Sequence, residues 1–273
     1  SNNLFKNKTL HLNKKFVLNK WNTFVLPVNL TRDQVWNAFG GTTRLAKLSN
    51  LTETAIEFES VDLTKLTDEE PAIVAYQPYI IFPGKGADVT PKYTGKVTVN
   101  NKLEEVTIAA NHYVIPKVTI PTKKNGDKEV SDWSYMSNDN WTTSKISTDG
   151  KMMALGTLAR TFGDATQDAD GKWNITNKDK ILDRRDDLKN CYFFDNGKMY
   201  LSKDRPRGLR GFSCWFKPTT NNDVPNAHIT IDGVSQGTTG IEDILADYEQ
   251  PVSRFANGVY NMNGQLVKQG NST

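Results

Sequence analysis

Thirteen runs of three to eight residues, rich in β-branched and aromatic side chains, recur along the chain at 16–18, 21–28, 56–61, 79–82, 96–100, 105–109, 113–120, 151–158, 173–176, 190–194, 199–201, 212–217 and 228–231. Asn, Asp, Gly and Pro separate them, so each run is too short for a typical helix and is bounded by turn chemistry. Many short strands with turns between them predict a mainly β chain, an antiparallel β-sandwich of jelly-roll-like or related type with one or two short helices. The run at 21–28 is apolar on both alternating faces in its second half, which predicts a strand inside the fold and not at an edge.

Composition narrows the classes of partner. The 273 residues are enough for one large or two small domains, and two cysteines do not make a disulfide scaffold. Aromatic residues at 10% and charged residues at 24% exclude disorder for the bulk of the chain. Lys and Arg number 34 against 31 Asp and Glu, a net charge of +3 that does not support nucleic-acid binding. No apolar run approaches the roughly 20 residues that span a bilayer, so no transmembrane segment is expected here.

One helix is legible in detail. Thr31, Arg32, Asp33 and Gln34 have the form of a capping box, Val35 and Phe39 share a face at i, i+4, and Gly40-Gly41 supplies a left-handed stop. A second helix is expected from Thr239 to Tyr248, where Ile241, Ile244, Leu245 and Tyr248 fall on one face before Pro251. The charged Asn125-Gly126 turn reads as a hairpin tip, with a subdomain join near 121–130 as the alternative. Residues 1–233 are expected to form one β-sandwich domain, with 234–273 a linker and an incomplete tail.

Cys191 and Cys214 lie in separate strand runs. A simple meander puts them on its first and third strands, beyond the roughly 7 Å that a disulfide allows between Cα atoms, and predicts two buried thiols. A bridge becomes conceivable only if the third strand folds back beside the first.

Several stretches resemble one group of proteins. Residues 21–31 with Gln34-Val35 and Ala38-Phe39-Gly40 resemble the "WNT-x-x-LP-hydrophobic" strand and following helix of modular cell-surface proteins from Bacteroides and Prevotella relatives. Residues 78–83 are similar to that group's "PYLIKP" strand, 211–216 to its "AFRAYF" strand, 238–241 to its "TTGI", and 258–267 to the "YNLNGQ-x-V" hairpin of its C-terminal segment. Ser213-Cys214-Trp215 replaces the group's usual Arg-Ala-Tyr. The resemblance implies an exported β module at the bacterial cell surface or outside the cell, non-catalytic, serving adhesion, ligand display or assembly.

Chemistry in the sequence is sparse. His11, His112 and His228 are far apart with no ligand-spaced partner, so no metal site is read from them. Asp168, Asp170 and Gly171 fail the EF-hand register and read as an Asp-Gly turn before Trp173, with an irregular calcium loop as the alternative. No nucleophile elbow, phosphate loop or dinucleotide fingerprint is present, and neither a catalytic residue nor a cofactor is assigned. A glycoside hydrolase or other enzyme is the least favoured class, with Glu129, Asp132 and Asp139 as acids that could be nominated. Trp133, Tyr135 and Trp141, among Ser, Asn and Thr, are the candidate ligand-binding residues, because sugars stack their C–H faces on aromatic rings while their hydroxyls find hydrogen bonds. The alternative function is therefore a carbohydrate-binding module, with a glycan or a host or cell-surface protein as partner.

Overall fold

The computed structural model of the chain describes residues 5–87, 93–99, 102–108, 111–131, 142–147, 149–158, 165–167, 173–175, 190–195, 198–201, 209–219, 227–235, 258–260 and 266–269. In chain order the elements begin β1 (Lys8–Leu12), β2 (Asn22–Phe24), β3 (Leu30–Thr31), α1 (Arg32–Phe39), β4 (Arg44–Leu51), β5 (Ala55–Ser60), β6 (Pro71–Ile73) and β7 (Tyr79–Phe82). They continue with β8 (Tyr93–Val99), β9 (Lys102–Ile108), β10 (Tyr113–Val118), β11 (Thr122–Asn125), β12 (Lys128–Ser131), β13 (Thr142–Ile146), β14 (Met152–Thr157), β15 (Ala165–Gln167) and β16 (Trp173–Ile175). The last are β17 (Tyr192–Asp195), β18 (Lys198–Leu201), β19 (Ser213–Pro218), β20 (His228–Ile231), β21 (Val234–Ser235), β22 (Gly258–Tyr260) and β23 (Leu266–Gln269). The chain is mainly β, as its strand runs predict. Among the described residues no helix is long and apolar enough to cross a membrane.

Two sheets carry the core. The larger has the order β2-β7-β4-β5-β20-β21 and the smaller β13-β14-β19-β17-β18. All their pairings are antiparallel except the parallel pair β5 and β20. Because side chains alternate across a strand, β7 sends Tyr79 and Ile81 into one apolar cluster and Ile80 into another. The first cluster lies between the larger sheet, α1 and the β1–β10 ribbon, and includes Phe24, Val35, Phe39, Leu45 and Tyr113. The second joins the two sheets, with Ile56, Phe58 and Ile229 meeting Met152, Tyr192 and Phe216. A third, smaller group of Leu155, Cys191, Phe193 and Trp215 covers the other face of the smaller sheet.

The helix forms as its sequence dictates. Thr31 Oγ1 accepts from the Gln34 amide at 3.3 Å, Gln34 Oε1 accepts from the Thr31 amide at 2.9 Å, and Val35, Ala38 and Phe39 are buried. Gly40 ends it at φ 99° and ψ 149°, a positive-φ conformation outside the left-handed helical basin that the Gly-Gly stop implies. Only glycine fits, because a Cβ here would also lie 3.0 Å from the Gly84 carbonyl carbon. Thr31→Ala removes the cap acceptor and is expected to cost about 1 kcal/mol. Urea unfolding of the variant and of Thr31→Ser checks this, and a serine variant as weak as the alanine would show that the hydroxyl is not what matters.

Three expectations are corrected. Residues 16–18 are not a strand: the Asn22 side chain takes both the Val17 amide and the Val17 carbonyl, each at 2.9 Å, in place of a neighbouring strand at that residue. The strand in 21–28 covers only Asn22–Phe24 and stands at the end of the larger sheet, although Thr23 to Val28 are buried. Phe24, Leu26 and Val28 are buried in the first apolar cluster and Val25 lies close to Gly156 of β14, while the Phe212 carbonyl, before β19, accepts from the Val25 amide at 3.3 Å. The simple meander fails as well, since β19 lies beside β17, which is the arrangement in which a bridge was conceivable. The two cysteines are nonetheless not bridged, and both are buried. With Tyr192 opposite Phe216 and Phe193 opposite Trp215, Cys191 shares the face of Phe193 and Trp215, whereas Cys214 takes the opposite face.

The turn at Asn125-Gly126 is the tip of the β11–β12 hairpin, with Gly126 at φ 61°. β15 pairs with β16 and β22 with β23, while Asp168, Asp170 and Gly171 lie outside the described residues. The expected helix at 239–248 lies outside the described residues.

Candidate functional site

The buried stripe of α1 leaves Trp36 half-buried on its flank, next in sequence to Val35 but off the Val35–Phe39 line. Arg32, one turn earlier, places its guanidinium 5.3 Å from the Trp36 ring centroid, and is itself held by Asp33 at 3.0 Å, Asp68 at 2.7 Å and the Leu66 carbonyl at 2.9 Å. That arrangement fixes the indole at the side of the helix.

Beyond α1 the chain is tied down before it enters β4. The Phe39 carbonyl accepts from the Gly84 and Lys85 amides, both at 2.8 Å, and from Thr43 Oγ1 at 2.7 Å. Gly84 lets this happen, since a Cβ there would meet Thr43 N at 3.1 Å. Thr43 is buried and Arg44 follows it outward, opposite Phe82 on β7. Its guanidinium lies 4.0 Å from the Phe82 ring centroid and 5.3 Å from that of Trp21, and Trp21 meets Phe82 edge to face at 5.7 Å.

Trp21, Trp36 and Arg44 border an open groove of about 620 Å³. Its other walls are Gly41 to Leu45, the segment 60–64 after β5, and Ile231-Asp232 at the end of β20. Leu45, Leu63 and Ile231 form an apolar floor, and Thr42, Ser60 and Thr64 offer exposed hydroxyls.

Both carboxylates of the groove are already engaged. Asp62 Oδ1 accepts from the Thr64 amide at 3.1 Å and from Thr64 Oγ1 at 2.6 Å, and Lys65 lies 3.2 Å from Oδ2. These contacts, the Thr64 hydroxyl first, hold its carboxyl below the usual carboxylate value. Asp232, at φ 51°, accepts from the Ser60 amide at 2.8 Å, and hydrogen bonding from Ser60 lowers its pKa too. An acid held ionised is the reverse of the raised-pKa carboxylic acid that protonates a leaving group.

The residues singled out from sequence fall elsewhere. Trp133, Tyr135 and Trp141 lie outside the described residues, as do Asp132 and Asp139. His11 and His112, far apart in sequence and with no ligand spacing, are brought together by the fold: His11 Nδ1 is 2.9 Å from His112 Nε2 across 101 positions. Burial and the neighbouring His112 lower the His11 pKa. Among the described residues no group of three or more His, Cys, Asp or Glu side chains could hold a metal ion. Compared with known proteins, the chain matches no family model, no curated protein and no solved structure.

Sequence reasoning missed the groove because its residues run from 21 to 232 and come together only through the sheet. One signal was available: Trp36 is a large aromatic off the buried stripe of an amphipathic helix.

Proposed function

We propose that the chain is a non-catalytic module of an exported bacterial surface protein, of the Bacteroidales type that its strand motifs resemble, and that it serves adhesion or ligand display by binding a saccharide in the Trp21–Trp36 groove. The observation that carries this reading is the groove itself, in which two indoles border an apolar floor with exposed hydroxyls beside it. Sugar rings present C–H faces to aromatic and aliphatic carbon, and hydroxyls at their rims to polar side chains. The engagement of Asp62 and Asp232 as hydrogen-bond acceptors favours recognition over hydrolysis, because neither is poised to give up a proton.

Screening the purified chain on a glycan array, followed by calorimetry on the best oligosaccharide, tests the reading. Trp36→Ala is expected to weaken binding about tenfold or more, equivalent to about 1.4 kcal/mol. Binding that survives Trp21→Ala and Trp36→Ala but disappears when Trp133, Tyr135 and Trp141 are replaced by alanine would move the site to that second aromatic stretch. No binding to any glycan would remove the saccharide reading.

A further inference from the structure

We propose that the groove's ligand is an acidic saccharide, a uronic acid whose carboxylate is held by Arg44; this rests on the saccharide reading above. The argument begins with a charge inventory of the groove and its rim. Asp62 is matched by Lys65 and the Thr64 donors, Asp232 by the Ser60 amide, and Arg32 by Asp33 and Asp68. Arg44 is exposed, and its contacts among the described residues are with the rings of Phe82 and Trp21, neither of which answers its charge with a carboxylate. It is therefore the cation of the groove to which no acid of the described residues is committed.

Its position is also built. A side chain as long as arginine loses rotamer freedom when it binds, and the two aromatic rings together with the cross-strand pairing to Phe82 meet part of that cost in advance. A guanidinium over an aromatic face keeps its in-plane N–H donors for a planar acceptor, and a carboxylate is the acceptor whose spacing matches that fork. The carboxylate of a uronic acid stands on the ring that the indoles would stack, so one monosaccharide can use both features of the groove. A free carboxylate with no ring would use only Arg44.

Calorimetry with glucuronate- and galacturonate-containing oligosaccharides, each paired with the same oligosaccharide after reduction of its carboxylates to alcohols, decides the matter. The acidic member of a pair is expected to bind at least tenfold more tightly, and that preference is expected to shrink as salt is raised. Arg44→Gln should abolish the preference, so that the acidic and reduced members of a pair bind this variant equally, and Arg44→Lys should restore part of it, since charge without the fork is not equivalent. Circular dichroism and melting of both variants check that an exposed substitution leaves the fold intact. Equal affinity for acidic and reduced members, or a preference that persists in Arg44→Gln, overturns the assignment of an acid while leaving the saccharide reading in place if Trp36→Ala still weakens binding. If no member of any pair binds, the saccharide reading fails, and this inference with it.

Discussion

Replacing Lys14 by methionine is expected to flatten a rise in stability that the native chain shows between about pH 7 and pH 9. Lys14 is 6% exposed, and its ammonium donates to the Gly211 carbonyl at 3.2 Å and to Ser213 Oγ at 2.6 Å, above the Phe16 ring at 5.7 Å. Burial lowers its pKa from 10.5 to about 7, with Arg210 acting the same way and Cys214 opposing. In the unfolded chain the amine keeps its proton to its ordinary value, so above pH 7 the unfolded state holds one proton more than the folded state. Stability then rises with pH, by up to about 1.4 kcal/mol per unit.

The rise has an upper limit set by other buried groups. Desolvation pushes the Cys214 thiol from 9.0 up to about 12, so above pH 9 the unfolded state loses this proton first, which offsets the continuing Lys14 contribution and levels the profile. Tyr79 and Tyr192, both raised by burial, turn the level profile into a fall from about pH 10. Over the two units between, the Lys14 contribution amounts to about 2–3 kcal/mol. On the acid side the lowered His11 pKa has the same sign as Lys14, and stability declines as pH drops below about 6.5. Urea unfolding followed by tryptophan fluorescence at half-unit intervals from pH 6 to 9.5 measures this. A native profile that is flat from 7 to 9, or a Lys14→Met profile with the native slope, would show that the amine does not release its proton in that window.

Where the local pattern and the tertiary environment agree, the fold was legible. The strands β7 and β20 have the bounds that their apolar runs predict, and the capping box of Thr31 and Gln34 marks the start of α1. β4 was not legible, for a physical reason. Its buried residues do not alternate: Leu45 and Ala46 enter different clusters on the two faces of the sheet, and the register shift between Leu48 and Asn50 then brings Leu51 onto the face of Ala46. Residues 16–18 have strand composition, but the Asn22 side chain takes both backbone groups of the central Val17, a competition that composition cannot report.

The candidate site was less legible than the fold. Spacing along a chain detects residues close in sequence, and so it found the dense aromatic stretch at 133–141. The groove draws Trp21, Trp36, Arg44, Asp62 and Asp232 from a strand border, a helix flank, a cross-strand pair and two turns. His11 and His112 make the same point, since the β1–β10 register, with Leu12 opposite Tyr113, is what sets them side by side. Lys14 gave no signal at all; a lysine in a polar segment reads as solvated, and only the fold reveals that it is buried.

Phe39→Ala is expected to cost about 3–5 kcal/mol and to loosen the groove with it. Phe39 is fully buried, and its ring centroid lies 5.7 Å from that of Phe16, 5.6 Å from that of Phe24 and 5.0 Å from that of Tyr113. These rings come from α1, β2, β10 and the segment before β2, so a cavity at Phe39 removes ring contacts to three separate parts of the first core cluster at once. Relaxation cannot close it cheaply, because the Phe39 backbone is fixed by the three donors on its carbonyl and by the close approach of Gly40 to Gly84. The same carbonyl anchors the segment that leads through Gly41 to Arg44, so motion there reaches the groove wall. Phe39→Leu, which keeps much of the volume, is expected to lose about half as much stability and to retain ligand affinity. Denaturant titration of both variants, with calorimetry on the ligand of the native chain, is the measurement. A loss below about 1 kcal/mol for Phe39→Ala would mean that the aromatic cluster is not what holds α1 to the larger sheet.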